Sequence, residues 1–138
     1  MYIFSMGKFI DDQNCFVCGK ENLAGFRLVF RLDETRREAE TEVVFPAHLQ
    51  GWKGTVHGGA LATVLDEVMV QAARAAGLRC VTAEITVKYR NPAATGVSYL
   101  LSGRVLEARG RLLAAEGWVL DASGQIYAQA TGKLFRIG

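Results

Sequence analysis

The chain has 138 residues, of which half are hydrophobic and 22% are charged, and its formal net charge is +2. This length predicts one folded domain over residues 1–138 with a single sizeable core. Because the net charge is small and the basic residues are dispersed, nucleic acid is not an expected partner. No apolar run approaches the roughly 18 residues of a membrane span. The N-terminus lacks a signal-peptide core, so we expect a cytoplasmic protein.

The first notable motif is a single CxxC at Cys15 and Cys18, and the third cysteine is Cys80. An odd count without a secretion signal argues against a disulfide framework. We interpret the CxxC as a tight turn with two reduced thiols and predict no metal. A zinc alternative would need further ligands from Cys80, His48, His57 or a second subunit. A redox alternative lacks the βα pattern that usually follows such a motif.

Residues 1–13 are expected to be a leader segment, as a short helix or an extended arm. Beyond it, alternating apolar and polar residues predict two strands before residue 46 and four after residue 79. Turns at 109–110 and 121–124 predict that the last four strands form an antiparallel meander. The predicted strands cover residues 26–32, 40–45, 80–90, 97–108, 112–120 and 125–137. Strict alternation in the third strand places Thr82 on one face with Glu84, Thr86 and Lys88.

Residues 56–76 carry the only long helical period, with Gly77 as the stop signal. The apolar stripe is formed by Leu61, Val64, Leu65, Val68, Met69, Ala72 and Ala76. Asp66 lies at the edge of this stripe among small apolar residues, where an unpartnered charge is costly to bury. Either Asp66 is solvated on a half-covered helix, or it is a base or nucleophile in an apolar cleft. Glu67 falls on a flank that we predict to be wetter, near Thr63, Gln71 and Arg74.

The start of the helix predicts an oxyanion site. Gly58 and Gly59 permit close approach, and they leave the first helical N–H groups bare at the positive end of the helix dipole. His57 is expected to fix the turn with a hydrogen bond, and direct catalysis by His57 is the alternative. Gly58 and Asp66 are about 12 Å apart along the helix axis. An antiparallel second copy of the helix would bring Asp66 toward Gly58 of its partner, which fits a two-fold dimer.

These segments resemble the hotdog-fold acyl-CoA thioesterases, and most closely the group similar to the phenylacetate-pathway (PaaI-like) thioesterase. The resemblance rests on CFVCGKENLAGFRLVF, LQGWKGTVHGGALATVLDE and TAEITVKYRNPAATG, within residues 14–137. It implies an α+β hotdog fold, in which an antiparallel sheet wraps around one long central helix. It also implies hydrolysis of an acyl-CoA by a homodimer that is often paired into a homotetramer. No cofactor is implied beyond the coenzyme A of the substrate.

The resemblance also implies site residues. The Gly58 N–H would polarise the thioester carbonyl, and Gly59 would support the turn. Asp66 of the facing subunit would be the nucleophile or the base for water. Thr82 matches a position where a hydroxyl helps to hold the attacking water. Gln50 is the amide nearest to an asparagine that some members place before the HGG motif.

The substrate is less sharply predicted than the chemistry. Lys53, Lys88 and Arg90 are candidates for the coenzyme A phosphates, and Glu67 is a further substrate-binding candidate. Aryl-acetyl, hydroxybenzoyl and medium-chain acyl groups all remain open. Two other functions remain open as well. One is a hotdog 3-hydroxyacyl thioester dehydratase or hydratase that pairs His48 with Asp66 or Glu67. The other is a non-catalytic acyl-CoA binding module.

Overall fold

A computed structural model of the chain describes residues 9–137, which form one six-stranded sheet, one long helix and a short 3-10 turn (Ala47–Leu49). The sheet is antiparallel throughout, and its strands lie in the order β1-β2-β4-β5-β6-β3. The predicted α+β architecture, a sheet wrapped around one helix, is therefore confirmed. The elements are β1 (Arg31–Asp33), β2 (Glu38–Val44), α1 (Gly58–Ala75), β3 (Cys80–Tyr89), β4 (Ser98–Arg109), β5 (Leu112–Leu120) and β6 (Ile126–Arg136).

Helix α1 forms where the apolar spacing predicts it, with its ends inside the predicted range 56–76. His57 is the N-cap, and Gly77 follows the helix with a φ of +79°, a value that glycine adopts readily. Leu65, Val68 and Met69 have no exposed surface and pack on the concave face of the sheet. This packing leaves only the other sides of α1 available for functional residues.

Two glycines allow the helix to lie close to the sheet. Gly103 of β4 and Gly117 of β5 are paired in register, and Val68 lies directly over both. A Cβ atom added to Gly117 would be 2.9 Å from Val68 Cγ1, and one added to Gly103 would be 3.0 Å from the same atom. There is therefore no room for a methyl group between the centre of α1 and these two strands.

Gly117→Ala is expected to lower the free energy of unfolding by about 1–3 kcal/mol, as overpacking of a filled core usually does. Urea unfolding followed by circular dichroism measures the change. Gly51→Ala is the matched control, because a Cβ atom there meets its nearest neighbour at an ordinary 3.4 Å. An unchanged unfolding midpoint for Gly117→Ala would show that the helix is not held this close to the sheet.

The prediction of a first strand over residues 26–32 is wrong for most of that range. Only Arg31–Asp33 joins the sheet. Arg27 has a φ of +56°, which interrupts the extended backbone. The Phe26 and Leu28 N–H groups donate instead to carbonyls of the CxxC loop, at 3.0 and 2.9 Å. This apolar segment is therefore paired with a loop and not with a strand.

The predicted meander of the last four strands is partly wrong. Strands β4, β5 and β6 are consecutive neighbours, but β3 pairs with β6 and not with β4. Strand β3 is thus an edge of the sheet, and its second backbone edge has no partner strand among residues 9–137. The other predicted strands end within two residues of the observed bounds.

Of the predicted leader, residues 1–8 lie outside the described part of the chain, and residues 9–13 form neither helix nor strand. Among the helices in residues 9–137, none has the length and apolar character needed to span a bilayer.

Candidate active site

The half-buried carboxylate of Asp66 meets a hydroxyl from the edge strand. The Thr82 hydroxyl donates a hydrogen bond of 2.5 Å to Asp66 Oδ1. Among the described residues, Asp66 therefore has one side-chain hydrogen-bond partner, which the edge strand supplies. Its second oxygen has no hydrogen bond to any residue of the described chain.

A β-bulge turns Thr82 toward the helix. Thr82 pairs with Leu134, whereas Glu84 pairs with the next residue back, Lys133, so Ala83 is the extra residue. The predicted face for Thr82, shared with Glu84, Thr86 and Lys88, is therefore wrong. Strict alternation fails because a bulged strand exchanges its faces at the extra residue. Bulges often re-aim one side chain next to a functional site.

The start of α1 offers one unpaired donor. His57 Nδ1 accepts the Gly59 N–H at 2.9 Å, which is the turn-fixing hydrogen bond that the sequence indicates. Ala60 and Leu61 donate to the His57 carbonyl at 3.0 and 3.3 Å. The expectation that both glycines leave bare N–H groups is therefore wrong for Gly59. The Gly58 N–H alone, of these four, has no partner among residues 9–137, and it carries the positive end of the helix dipole.

Tyr89 holds Gly58 from the other side, and sequence reasoning missed this residue. The Tyr89 hydroxyl donates to the Gly58 carbonyl at 2.8 Å. A Cβ atom added to Gly58 would be 3.2 Å from the Tyr89 ring, so the contact favours glycine. A signal was present in the sequence, because Tyr89 continues the alternate apolar positions of Ile85 and Val87.

A cavity of about 280 Å³ lies beside the start of α1. His48 and His57 both line it, together with Phe16, Phe26, Leu49, Gln50, Ala60 and Thr63. Gln50 closes its own loop, because its Oε1 accepts the Gly54 N–H at 3.0 Å. Neither Asp66 nor Glu67 lines this cavity, so within one chain neither of the two proposed partners of His48 joins it there.

The wetter flank predicted for Glu67 is only partly present, because Glu67 lines a cavity but is half-buried and its neighbour Gln71 is buried. Glu67 Oε2 accepts from Gln71 Nε2 at 2.8 Å, and Gln71 is 5% exposed. Its Oε1 faces Cys15 Sγ at 3.7 Å, because the CxxC loop covers this side of the helix. Burial raises the pKa of the Cys18 thiol well above its ordinary value, and the Glu67 carboxylate adds to the shift. Asp66 and Glu67 are adjacent in sequence but face different surroundings.

The candidate phosphate ligands are exposed and lie in two places. Lys53 is in the loop before α1, and Lys88 is on the outer face of β3. Arg90 follows β3, and its Nε donates to Gln129 at 3.1 Å. The structure thus provides positive charge on two elements, the loop before α1 and the end of β3, and the Tyr89–Gly58 contact joins the end of β3 to the helix start.

Comparison with known proteins agrees with this architecture. A family model described as the thioesterase superfamily matches residues 53–128. No curated protein matches the sequence. A crystal structure of a thioesterase superfamily protein has a TM-score of 0.82 and 27% identity, over 90% of this chain. This chain spans only 60% of the length of that protein.

Two further solved structures share the fold. The Escherichia coli PaaI protein, from the phenylacetic acid degradation operon, has a TM-score of 0.74 and 19% identity, over 82% of this chain and 81% of its own. A Streptococcus mutans UA159 protein bound to acetyl-CoA has a TM-score of 0.73 and 20% identity, over 80% of this chain and 87% of its own.

The sheet wrapped around α1, with a glycine-rich helix start and a carboxylate on its flank, is a hotdog fold, which this chain shares with the PaaI structure. The chain belongs to the thioesterase superfamily, since the family model covers more than half of it. Membership supports thioester hydrolysis as its general class of reaction.

Proposed function

We propose that the chain hydrolyses an acyl-CoA thioester to a free acid and coenzyme A. The Gly58 N–H would stabilise the oxyanion, and Asp66 of the facing subunit would be the base or the nucleophile. The observation that carries this proposal is the hydrogen bond from Thr82 of β3 to Asp66 of α1. The first N–H group of the same helix, that of Gly58, has no partner among residues 9–137. The acetyl-CoA bound to the similar Streptococcus mutans protein supports the substrate class.

The groups match the charges that the reaction develops. As a base, Asp66 takes a proton from water while the water oxygen attacks the carbonyl carbon, and the oxyanion forms against the Gly58 N–H. Collapse of the tetrahedral intermediate breaks the C–S bond, and the leaving thiolate takes up a proton. As a nucleophile, Asp66 forms a mixed anhydride and expels the thiolate, and water then hydrolyses the anhydride. Neither route requires a metal or a redox cofactor.

Self-association supplies the second half of the proposed site. Gly58 and Asp66 are about 12 Å apart on one helix, which is too far for one thioester carbonyl to contact both. The ten-residue edge of β3 is available for pairing with a second copy, since unpaired sheet edges readily add a strand. A two-fold dimer formed there would set two α1 helices side by side, and pairing of dimers would give the tetramer. Lys53, Lys88 and Arg90 would then be tested as phosphate ligands by charge reversal.

The first experiment is release of free thiol from a panel of acyl-CoAs that includes aryl-acetyl, hydroxybenzoyl and medium-chain groups. Turnover of at least one member is the expected result, and it also identifies the acyl group. Loss of the conjugated absorbance of an enoyl-CoA without thiol release would favour the dehydratase or hydratase. Binding of acyl-CoA without either reaction would favour the binding module.

Thr82→Val is expected to lower kcat about tenfold, because it removes the one hydrogen bond to Asp66, and a hydrogen bond to a charged group contributes about 1.5–3 kcal/mol. Thiol release under saturating substrate measures the loss. Thr86→Val is the matched control, because it makes the same change on the opposite face of β3. Equal rates for the two variants would remove Thr82 from the site.

A further inference from the structure

Outside the proposed active site, the CxxC loop and helix α1 bring three metal-ligating side chains together. Cys15 Sγ, Cys18 Sγ and a Glu67 carboxylate oxygen all lie within 4.8 Å of one another. All three residues are half-buried. We call them the Cys15–Cys18–Glu67 cluster. The zinc alternative considered from the sequence drew its further ligands from His48, His57 or Cys80, and it did not include Glu67.

The spacing fits a tetrahedral ion. Zinc bonds of about 2.3 Å to sulfur and 2.0–2.2 Å to oxygen place neighbouring ligands roughly 3.6–3.8 Å apart. Cys15 Sγ and Glu67 Oε1 are 3.7 Å apart. This pair therefore already has the spacing of two zinc ligands, and the other two ligand separations would contract by at most about 1 Å from their upper bound of 4.8 Å. His48 and His57 lie together at a separate cavity, and they are not ligand candidates.

Backbone donors of the CxxC loop are directed at one of its two sulfurs. The N–H groups of Val17 and Cys18 point at Cys15 Sγ, at 3.4 and 3.5 Å. Such donors stabilise a charged sulfur. The loop closes through Gly19, whose N–H donates to the Cys15 carbonyl at 3.0 Å. A side chain on Gly19 would collide with the Cys15 backbone nitrogen and lie 2.6 Å from the Gln13 carbonyl oxygen, so the loop requires glycine there.

Gln71 and Arg74 orient the Glu67 carboxylate. Gln71 holds Glu67 Oε2, which leaves Oε1 directed at the sulfurs. Gln71 is held in turn by Arg74, whose guanidinium donates to Gln71 Oε1 at 3.3 Å. Outer-shell hydrogen bonds of this kind fix the ligands of metal sites. Arg74 and Arg79 line the adjoining cavity of about 540 Å³, and so do Asp11 and Asp12, so the charged residues of this lining outside the cluster balance one another.

We propose that Cys15, Cys18 and Glu67 bind one Zn²⁺ or a similar thiophilic divalent cation, with water from the adjoining cavity as the fourth ligand. The ion would fasten the N-terminal loop to helix α1 at the residue next to Asp66. None of its three ligands is a reacting group of the proposed hydrolysis, so this proposal stands or falls separately from it.

Titration of the reduced, metal-free chain with Co²⁺ tests the site. We expect one Co²⁺ per chain, a thiolate-to-cobalt charge-transfer band, and displacement of Co²⁺ by Zn²⁺. Cys15→Ser and Cys18→Ser are expected to abolish the band. Glu67→Gln is expected to weaken binding at least about tenfold, since loss of an outer-shell partner alone costs 10–100-fold. Cys80→Ser is the matched control, because Cys80 lines the same cavity but lies outside the cluster.

Alkylation of the wild-type chain gives a second test that does not depend on the folding of a variant. Zn²⁺ is expected to protect Cys15 and Cys18 from alkylation and to leave Cys80 unchanged, as read by mass spectrometry of the peptides. The proposal is overturned if the reduced chain gives no thiolate–cobalt band, or if Cys80→Ser abolishes it. Uptake of no metal together with a Cys15–Cys18 disulfide after mild oxidation would assign the motif to redox chemistry instead.

Discussion

Replacing Asp66 with asparagine is expected to lower kcat for thioester hydrolysis about a hundredfold or more, which is the usual cost of losing a positioned acid–base group. Asparagine has nearly the same shape and still accepts the Thr82 hydrogen bond, so the fold should be retained. It can neither take a proton from water nor attack a carbonyl. Initial rates of thiol release with the best acyl-CoA of the panel measure the loss.

Glu84→Gln is the control for Asp66→Asn. It neutralises another carboxylate within two strand positions of Thr82, but Glu84 lies on the outer face of β3, where it is 3.6 Å from Lys133. We expect its rate to remain near that of the wild type. If Asp66→Asn keeps more than about a tenth of the wild-type rate, Asp66 is not the general base or nucleophile.

Gly58→Pro is expected to lower kcat by about 10²–10³-fold, the measured cost of removing one oxyanion donor in other enzymes. Proline lacks the N–H group but is well accepted at the first helical position. The preceding His57 already has a ψ of 136°, which suits a residue before proline. The substitution therefore removes the donor without removing a helical hydrogen bond.

Gly58→Ala distinguishes the effect of losing the N–H donor from the effect of crowding the Tyr89 ring. It crowds the Tyr89 ring as proline does, at 3.2 Å, but it keeps the N–H group. We expect most of the wild-type kcat to remain in this variant. Equal losses for alanine and proline would mean that the contact with Tyr89 matters and that the N–H group does not.

Mixed dimers of Asp66→Asn and Gly58→Pro chains test whether the site is shared. If one site takes Asp66 from one protomer and Gly58 from the other, a mixed dimer contains one site with both wild-type residues. Activity should then rise when the two inactive variants are mixed and exchanged. If both residues act within one chain, every site in the mixture carries a substitution and no activity returns.

Local sequence patterns were sufficient for the helix and for most strands. The apolar spacing over 61–76 and the stop at Gly77 locate α1, and the turns at 109–110 and 121–124 separate β4, β5 and β6. These features are determined by neighbours in sequence. The hotdog fold followed from the order of elements together with the resemblance in three segments.

The misplaced features depend on contacts between residues that are distant in the chain. Residues 26–28 have the alternation of a strand, but their hydrogen-bond partners are the loop carbonyls of Phe16 and Val17. Strand β3 pairs with β6 although only residues 90–97 separate it from β4 in the chain. Glu67 has the helical position of a solvated residue, yet the CxxC loop covers it. None of these partners can be identified from spacing.

The extra residue in β3 divides that strand into two reading frames. On one side of Ala83 the even-numbered residue Thr82 faces the helix, and on the other side the odd-numbered residues Ile85, Val87 and Tyr89 do. The two proposed functional contacts of this strand, Thr82 with Asp66 and Tyr89 with Gly58, lie in different frames. A strand without the bulge could present only one of them to the helix. An insertion or deletion between Thr82 and Tyr89 would therefore turn one of these two side chains away from the helix, whatever the identity of the residues between them.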